Sequence, residues 1–167
     1  IKSSEPFSDF KLIQKRTRNL EYSVSHFKDK FYIMNNKDGA YNYKISETSI
    51  DNPSSENWID ILEHRDQVLL EDFEIFSDHW VVTERENGLT RIKVKRWDET
   101  EDYYIPVTGE TYSLSGSFNP NFETSNFRFG YTSLSTPTTI FEYDMNSKTK
   151  KMLKQRSVPN SNFKSAN

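Results

Sequence analysis

With 167 residues, of which 34% are hydrophobic and 14% aromatic, the chain is long enough for one compact domain and favours sheets over helices. Its net charge of −3 provides no broad basic surface for a nucleic-acid backbone, and no apolar run approaches the roughly 20 residues of a membrane span. Because the chain has no cysteine, disulfides are excluded, and we expect a soluble cytoplasmic protein, with a bacterial periplasm as the alternative.

The first predicted elements lie in the N-terminal third of the chain. Phe10 to Gln14 alternates in character and is predicted to be one isolated strand. A first repeat of four strands follows, with a hairpin that turns at Asp38-Gly39. Its predicted strands are Glu21 to Phe27, a segment that ends near Ile33, Tyr41 to Ile45, and Trp58 to Leu62.

A second repeat follows the first at an offset of 49 residues, which is the spacing between Gly39 and Gly88. Residues 27–33 align with residues 76–82, and Asp38-Gly39 aligns with Asn87-Gly88. Alternating residues on both sides of a glycine turn predict a hairpin in each repeat. The strands of the second repeat are predicted at Leu70 to Phe76, up to Val82, Thr90 to Val94, and Tyr103 to Val107.

A third repeat keeps the order of strands but changes the connections. Its first connection is lengthened by Asn119-Pro120-Asn121, and its hairpin loop becomes Ser135-Thr136-Pro137. The predicted strands are Tyr112 to Phe118, Asn126 to Ser133, Thr138 to Asp144, and Lys151 to Arg156.

Four strands in about 40 to 50 residues are typical of propeller blades. We therefore predict an all-β fold, a partial β-propeller of about three four-stranded antiparallel blades near residues 21–63, 70–107 and 110–156. Phe10 to Gln14 is assigned to a preceding blade, and residues 157–167, rich in Ser and Asn, to a linker. Because three such blades do not close a ring, we expect the chain to be part of a longer protein.

The sequence carries no recognisable catalytic or metal-binding motif. The Gly-x-Ser-x-Gly pattern of a nucleophile elbow does not occur, and the spacings of His26, His64 and His79 match no metal motif. The acidic pair Glu71-Asp72 and the acidic run at 99–102 are interpreted as solvated charges near turns. We expect no catalytic residue, no cofactor and no metal site in this chain.

The third repeat contains a distinctive run. Residues 127–145 include Arg128, Gly130-Tyr131-Thr132-Ser133 and Thr136-Pro137, and residues 153–159 read Leu-Lys-Gln-Arg-Ser-Val-Pro. These runs resemble the final propeller blade of the prolyl oligopeptidase family of serine peptidases, and most closely its oligopeptidase B (protease II) branch. Residues 21–23, 31–33 and 84–90 also resemble this branch, so the similarity covers nearly the whole chain.

The resemblance implies a two-domain peptidase in which a seven-bladed propeller covers an α/β-hydrolase domain. It further implies that short peptides are cleaved after Lys or Arg by a Ser-His-Asp triad, while folded proteins are kept out. In the family the triad lies in the hydrolase domain, so the resemblance assigns no catalytic residue to this chain. We hypothesise that the turn with Tyr131, Thr132, Ser133, Thr136 and Pro137 faces the catalytic domain and helps to gate access. A purely structural hairpin stiffened by proline is the alternative.

Other classes of function stay open at this point. A protein-binding propeller of the WD type would repeat Gly-His and Trp-Asp signatures, of which Trp97-Asp98 is a single match. A carbohydrate-binding β-sandwich is disfavoured by the offset of 49 residues. In each propeller interpretation the excised blades expose apolar faces, so we expect the isolated chain to self-associate.

Overall fold

The computed structural model describes residues 6–159 and consists of twelve β-strands with two short 3-10 turns, Lys37–Gly39 and Ser55–Asn57. The strands are β1 Tyr22–Phe27, β2 Lys30–Asn35, β3 Lys44–Ser49, β4 Ile59–Leu62, β5 Val68–Ile75, β6 His79–Glu86, β7 Leu89–Arg96, β8 Asp102–Tyr104, β9 Ser113–Gly116, β10 Asn126–Thr132, β11 Thr139–Asp144 and β12 Thr149–Gln155. Among these residues no helix has the length and apolar character needed to cross a membrane.

The strands form three antiparallel four-stranded sheets in sequence order. The first sheet contains β1 to β4, the second β5 to β8, and the third β9 to β12. The predicted all-β fold with three four-stranded antiparallel blades is confirmed. The chain divides into two compact units, of which one ends at Arg65 and contains the first sheet, while the other begins at Asp66 and contains the other two sheets.

The hairpin between β6 and β7 follows directly from its sequence. Asn87 and Gly88 have φ angles of 50° and 80°, and Glu86 pairs with Leu89 across the turn. A two-residue hairpin turn of this kind needs positive φ at both positions, which asparagine and glycine tolerate best. The predicted glycine-centred hairpin is confirmed here.

The first hairpin has the same glycine turn but a longer loop. Asp38 and Gly39 also have positive φ angles, 58° and 82°, yet β2 ends at Asn35 and β3 begins only at Lys44. Tyr41 and Tyr43, predicted within a strand, therefore lie in the loop. Relative to the second sheet, β3 is displaced by two residues, so that Ile45 occupies the place of Ile92 rather than that of Val94.

Backbone hydrogen bonds confirm the equivalence of the two sheets. The amide of Ile50 donates to the carbonyl of Asp29 at 3.1 Å, and the amide of Trp97 donates to the carbonyl of Asp78 at 3.2 Å. Once the two-residue displacement is included, these bonds occupy the same place in the two sheets. The repeat found at an offset of 49 residues is therefore a repeat of structure.

The extra strand predicted at Phe10 to Gln14 is not formed. A strand needs a neighbouring strand to satisfy its backbone groups, and the first sheet contains only β1 to β4. The segment is instead held by side chains: Lys11 Nζ donates to the carbonyl of Ile50 at 3.0 Å, and the amide of Ser55 donates to Gln14 Oε1 at 2.8 Å. Of the predicted linker, Ser157 to Pro159 are irregular, and the rest lies outside the described residues.

An aromatic core joins the second and third sheets within the second unit. Phe127, Phe129 and Tyr143 are at most 1% exposed, and the Phe127 ring meets the Phe76 ring edge-on at 6.1 Å. Tyr103 Oη donates to the carbonyl of Met145 at 2.9 Å, which links the two sheets at the edge of this core. Aromatic packing of this kind contributes both buried area and specific geometry.

The opposite face of the third sheet is more polar. Since side chains alternate along a strand, Arg128 and Glu142 point away from Phe127 and Tyr143. They form an ion pair with Nε and Oε2 at 2.9 Å, and Ile140 is a partly buried apolar residue on the same face. The third sheet thus has one aromatic face and one mixed face.

Candidate functional site

The turn that joins β10 to β11 is held by its own hydrogen bonds. The amide of Ser133 donates to the carbonyl of Thr136 at 3.0 Å, and the amide of Thr136 donates back to the carbonyl of Ser133 at 3.4 Å. Thr132 Oγ1 donates to the same Thr136 carbonyl at 3.2 Å, and Ser135 N donates to Ser133 Oγ at 3.3 Å. Pro137 restricts the backbone further. Hydrogen bonds within the turn, residues 131–137, therefore hold its outer part, from Thr132 to Thr136.

Tyr131 anchors the base of the turn. Its ring stacks on Tyr112 with centroids 5.9 Å apart, and its hydroxyl donates to the carbonyl of Thr108 at 3.1 Å. Gly109 has φ of +118°, and a Cβ there would lie 3.2 Å from the Tyr131 hydroxyl oxygen. Tyr131 thus packs against the segment that follows β8.

The outer side of the turn forms one wall of a shallow concavity of about 480 Å³. Of the five turn residues singled out from the sequence, four line this concavity, namely Thr132, Ser133, Thr136 and Pro137. Tyr131 does not line it. The remaining lining residues are Leu134, Thr138, Arg156, Ser157, Val158 and Pro159. We call this depression the turn concavity.

Two of these lining residues were not singled out from the sequence. Leu134 is 100% exposed at the tip of the turn. Arg156 is exposed as well, and its guanidinium forms no ion pair with any residue in the described range, although its amide donates to the carbonyl of Thr138 at 2.9 Å. An exposed apolar side chain and a guanidinium without an ion pair among residues 6–159 therefore line the same depression.

The histidines lie in different environments. His26 contacts the Phe31 ring, and His64 meets the Tyr41 ring edge-on at 4.6 Å. His79 is fully buried in the second sheet; burial lowers its pKa, and the nearby Arg96 lowers it further. Within residues 6–159, no group of three or more His, Asp or Glu side chains is arranged to hold a metal ion.

The candidate acidic groups are mostly paired with cations. Glu71 accepts from Arg85 at 2.7 Å, while Asp72 accepts from the amide of Phe73 at 2.8 Å. The two adjacent carboxylates therefore have different partners. In the run at 99–102, Glu101 lies 3.2 Å from Lys148 and Asp102 lies 3.0 Å from Lys93. These contacts give the acids structural partners.

Glu74 is an ionisable group that the sequence did not indicate. Burial raises its pKa to about 7, the nearby Asp72 raises it too, and a hydrogen bond from Asn119 opposes them. Asn119 Nδ2 donates to Glu74 Oε2 at 3.0 Å and to the carbonyl of Arg128 at 3.2 Å, and Asn119 Oδ1 accepts from the Arg128 amide at 2.8 Å. Glu74 of the second sheet is thereby tied to the third sheet.

The chain forms repeated four-stranded antiparallel sheets in sequence order, and the two sheets of the second unit pack through an aromatic core. These features define the class of this protein as a β-propeller fragment. Residues 2–156 match the family model described as "Prolyl oligopeptidase, N-terminal beta-propeller domain". The chain belongs to the prolyl oligopeptidase family and forms part of its N-terminal propeller.

Individual relatives agree with this assignment. The chain is 37% identical over 150 residues to dipeptidyl aminopeptidase BI of Pseudoxanthomonas mexicana. The aligned region covers 90% of this chain and 21% of the relative. The chain is 27% identical over 153 residues to protease 2 of Moraxella lacunata, covering 92% and 21%. The structure of oligopeptidase B from Leishmania major superposes with a TM-score of 0.82 at 25% identity, covering 91% of this chain and 22% of that one. The chain thus spans about a fifth of these relatives.

Proposed function

We propose that this chain is part of the propeller that controls substrate access in a serine oligopeptidase, and that the whole protein cleaves short peptides after Lys or Arg. The match of residues 2–156 to the N-terminal propeller of the prolyl oligopeptidase family carries the proposal. The preference for basic residues is what the resemblance of residues 127–145 and 153–159 to the oligopeptidase B branch implies. The reaction is acyl transfer through a Ser-His-Asp triad outside this chain.

A second activity is favoured by one relative. The protein that is 37% identical is a dipeptidyl aminopeptidase, and its name indicates release of dipeptides from a free N-terminus. This activity and cleavage after basic residues differ in one testable requirement, since a blocked N-terminus abolishes the first and leaves the second intact. A propeller that binds proteins without catalysis is the third alternative.

The first test compares substrates on the full-length protein. We expect hydrolysis of an N-blocked Arg arylamide, little hydrolysis of the matched Glu arylamide, and complete loss after treatment with a serine-directed fluorophosphonate. Cleavage only of Gly-Arg arylamide with a free amine would establish the dipeptidyl activity instead. The purified chain of 167 residues is expected to hydrolyse neither substrate, because it lacks a nucleophile elbow.

Substrate size tests the role in access. The full-length protein is expected to cleave an Arg-containing peptide of about ten residues, and to leave a stable folded protein that displays the same sequence in a surface loop uncut. The same protein in its unfolded state is the control, because its cleavage shows that the displayed sequence itself is a substrate. Cleavage of the folded form at the rate of the unfolded form would contradict exclusion of folded proteins.

The isolated chain is also expected to self-associate. Apolar side chains of the second unit that are well exposed include Phe118, Leu134 and Met152. Exposed apolar groups drive association at high concentration. Light scattering over a dilution series should therefore give an apparent mass that rises with concentration, and a constant monomer mass throughout would contradict this prediction.

A further inference from the structure

Three polar side chains form a row across one end of the second sheet. His79 at the start of β6 pairs with Arg96 at the end of β7, and the carbonyl of Glu101 accepts from the amide of Arg96 at 3.1 Å. Residues paired across antiparallel strands direct their side chains to the same face, and Arg96 Nη1 donates to Asn146 Oδ1 at 3.3 Å. The row, which we call the polar row, therefore points towards the turn between β11 and β12, residues 145–148.

Two members of the polar row carry buried polar atoms without a partner. His79 is completely buried, and neither of its ring nitrogens has a hydrogen bond among residues 6–159. Glu101 Oε2 is also buried without a partner in this range, whereas Glu101 Oε1 lies 3.2 Å from Lys148 Nζ. Buried polar atoms are nearly always hydrogen-bonded, so this enclosure suits a neutral histidine far better than an imidazolium, which carries a charge and two N–H donors.

The charges around His79 come from its own sheet and the connections of that sheet. Burial lowers the pKa of His79, and Arg96 lowers it further, whereas Asp78, Glu101 and Asp98 oppose the shift. Asp78 is exposed, and Asp98 is directed to Arg96, with its Oδ2 3.4 Å from Nε. Of the three carboxylates, Glu101 is the one with a buried oxygen that has no partner within residues 6–159. It is therefore the acceptor that a protonated His79 would take.

Further titratable groups lie beside Glu101. Lys148 Nζ lies 4.6 Å from the centroid of the Tyr103 ring, and Tyr103 lies beside Tyr143. Burial raises the pKa of both tyrosines above its ordinary value of 10, so both stay neutral below pH 8. Lysine keeps its charge in the same range. His79 is thus the group of this region whose ordinary pKa lies between pH 5 and pH 8.

We propose that the polar row is a proton-operated latch between the second and third sheets. With neutral His79, Glu101 pairs with Lys148 and holds the β7–β8 turn, residues 97–101, against the β11–β12 turn. An imidazolium at position 79 takes the Glu101 carboxylate instead, which releases Lys148 and loosens both turns. Because the pKa of His79 is lowered from 6.5, the latch opens below pH 6.5. This device goes beyond the proposed function, since it concerns the propeller whether or not the whole protein is a peptidase.

Hydrogen–deuterium exchange of the full-length protein, read by mass spectrometry between pH 8 and pH 4.5, tests the latch. The rates are corrected for the intrinsic effect of pH on amide exchange. Peptides that contain residues 97–101 and 145–148 should then exchange about threefold faster at pH 4.5 than at pH 8, as expected for the loss of one partly exposed ion pair. The midpoint of this change should lie below pH 6.5.

Replacement of the histidine tests its role directly. His79→Gln removes the titration and keeps a polar side chain, so it should abolish the change below pH 6.5. The matched control is His26→Gln, the same replacement at an exposed histidine of the first sheet, which should keep the change. Glu74 titrates near pH 7 and is present in both variants, so a response caused by Glu74 would survive in His79→Gln.

Lys148→Gln tests the other side of the latch at a half-exposed position, and it decides the question if His79→Gln does not fold. Without the ammonium group the latch cannot close, so both turns should exchange at the faster rate throughout the pH range. Each other result overturns the proposal: equal rates at pH 8 and pH 4.5 in the original protein, or a change that survives in His79→Gln or in Lys148→Gln. No measurement here needs peptide turnover, so failure of the latch and failure of the proposed peptidase activity are separate results.

Discussion

Replacement of Phe127 by alanine is expected to lower the free energy of unfolding of the second unit by about 3–5 kcal/mol. Phe127 is completely buried between the second and third sheets, with its ring 6.1 Å from that of Phe76 and 6.3 Å from that of Phe129. Its removal leaves a cavity whose walls belong to two sheets. Because the backbone of both sheets is fixed by strand pairing, the cavity can collapse only in part.

Urea unfolding of the chain at low concentration, followed by tryptophan fluorescence, measures this loss. Phe118→Ala is the matched control, because it deletes the same side chain at a position that is 78% exposed. We expect that control to change the free energy of unfolding by at most about 0.5 kcal/mol. A Phe127→Ala variant as stable as Phe118→Ala would show that the aromatic core does not hold the two sheets together.

Stability is expected to depend on the protonation of Glu74. Its pKa is raised from 4.5 to about 7 in the folded state, so the folded protein holds the proton more tightly than the unfolded chain does. The resulting stabilisation is complete below pH 4.5 and is lost as the pH rises through 7. Since the side chain is only partly buried, solvent screening reduces its contribution to roughly 1–2 kcal/mol.

Glu74→Gln removes this titration and keeps an amide that can bond to Asn119. The difference in the free energy of unfolding between the variant and the original protein should therefore grow between pH 5 and pH 8, in favour of the variant. His79, whose pKa is lowered, destabilises the fold as the pH falls below 6.5, but this effect is common to both proteins and cancels. Glu123→Gln, at an exposed position, is the control, and a pH-independent difference for Glu74→Gln would contradict the prediction.

The strands that the sequence predicted well have local signals. Asn87-Gly88 fixes its hairpin because both residues tolerate positive φ, and alternation around it sets the faces of β6 and β7. Phe10 to Gln14 alternates equally well but forms no strand, because a strand also depends on a partner, which a local pattern does not reveal. The pattern of residues alone therefore predicts which segments can pair, and pairing requires a neighbour in space.

The candidate site was predicted only in part for a similar reason. The turn at 131–137 was identified by its run of residues, which lie next to each other in the chain. Arg156 lies 19 residues beyond Pro137 in sequence and reaches the same concavity because β12 pairs with β11. The raised pKa of Glu74 likewise depends on its burial where Asn119 and Gly116 of the third repeat approach it. Contacts between distant segments carry these properties.

The longer loop of the first hairpin has a consequence for how this repeat can change in length. The loop displaces β3 by two residues relative to β7, and two is the period of side-chain direction along a strand, so Ile45 still points into the same face as Ile92. A displacement of one residue would have turned Ile45 to the opposite face and moved its charged neighbour Lys44, which pairs with Asp60, onto the face that Ile45 now occupies. Insertions that shift the strand register of this hairpin are therefore expected in even steps, whereas a register shift of odd length needs a compensating β-bulge.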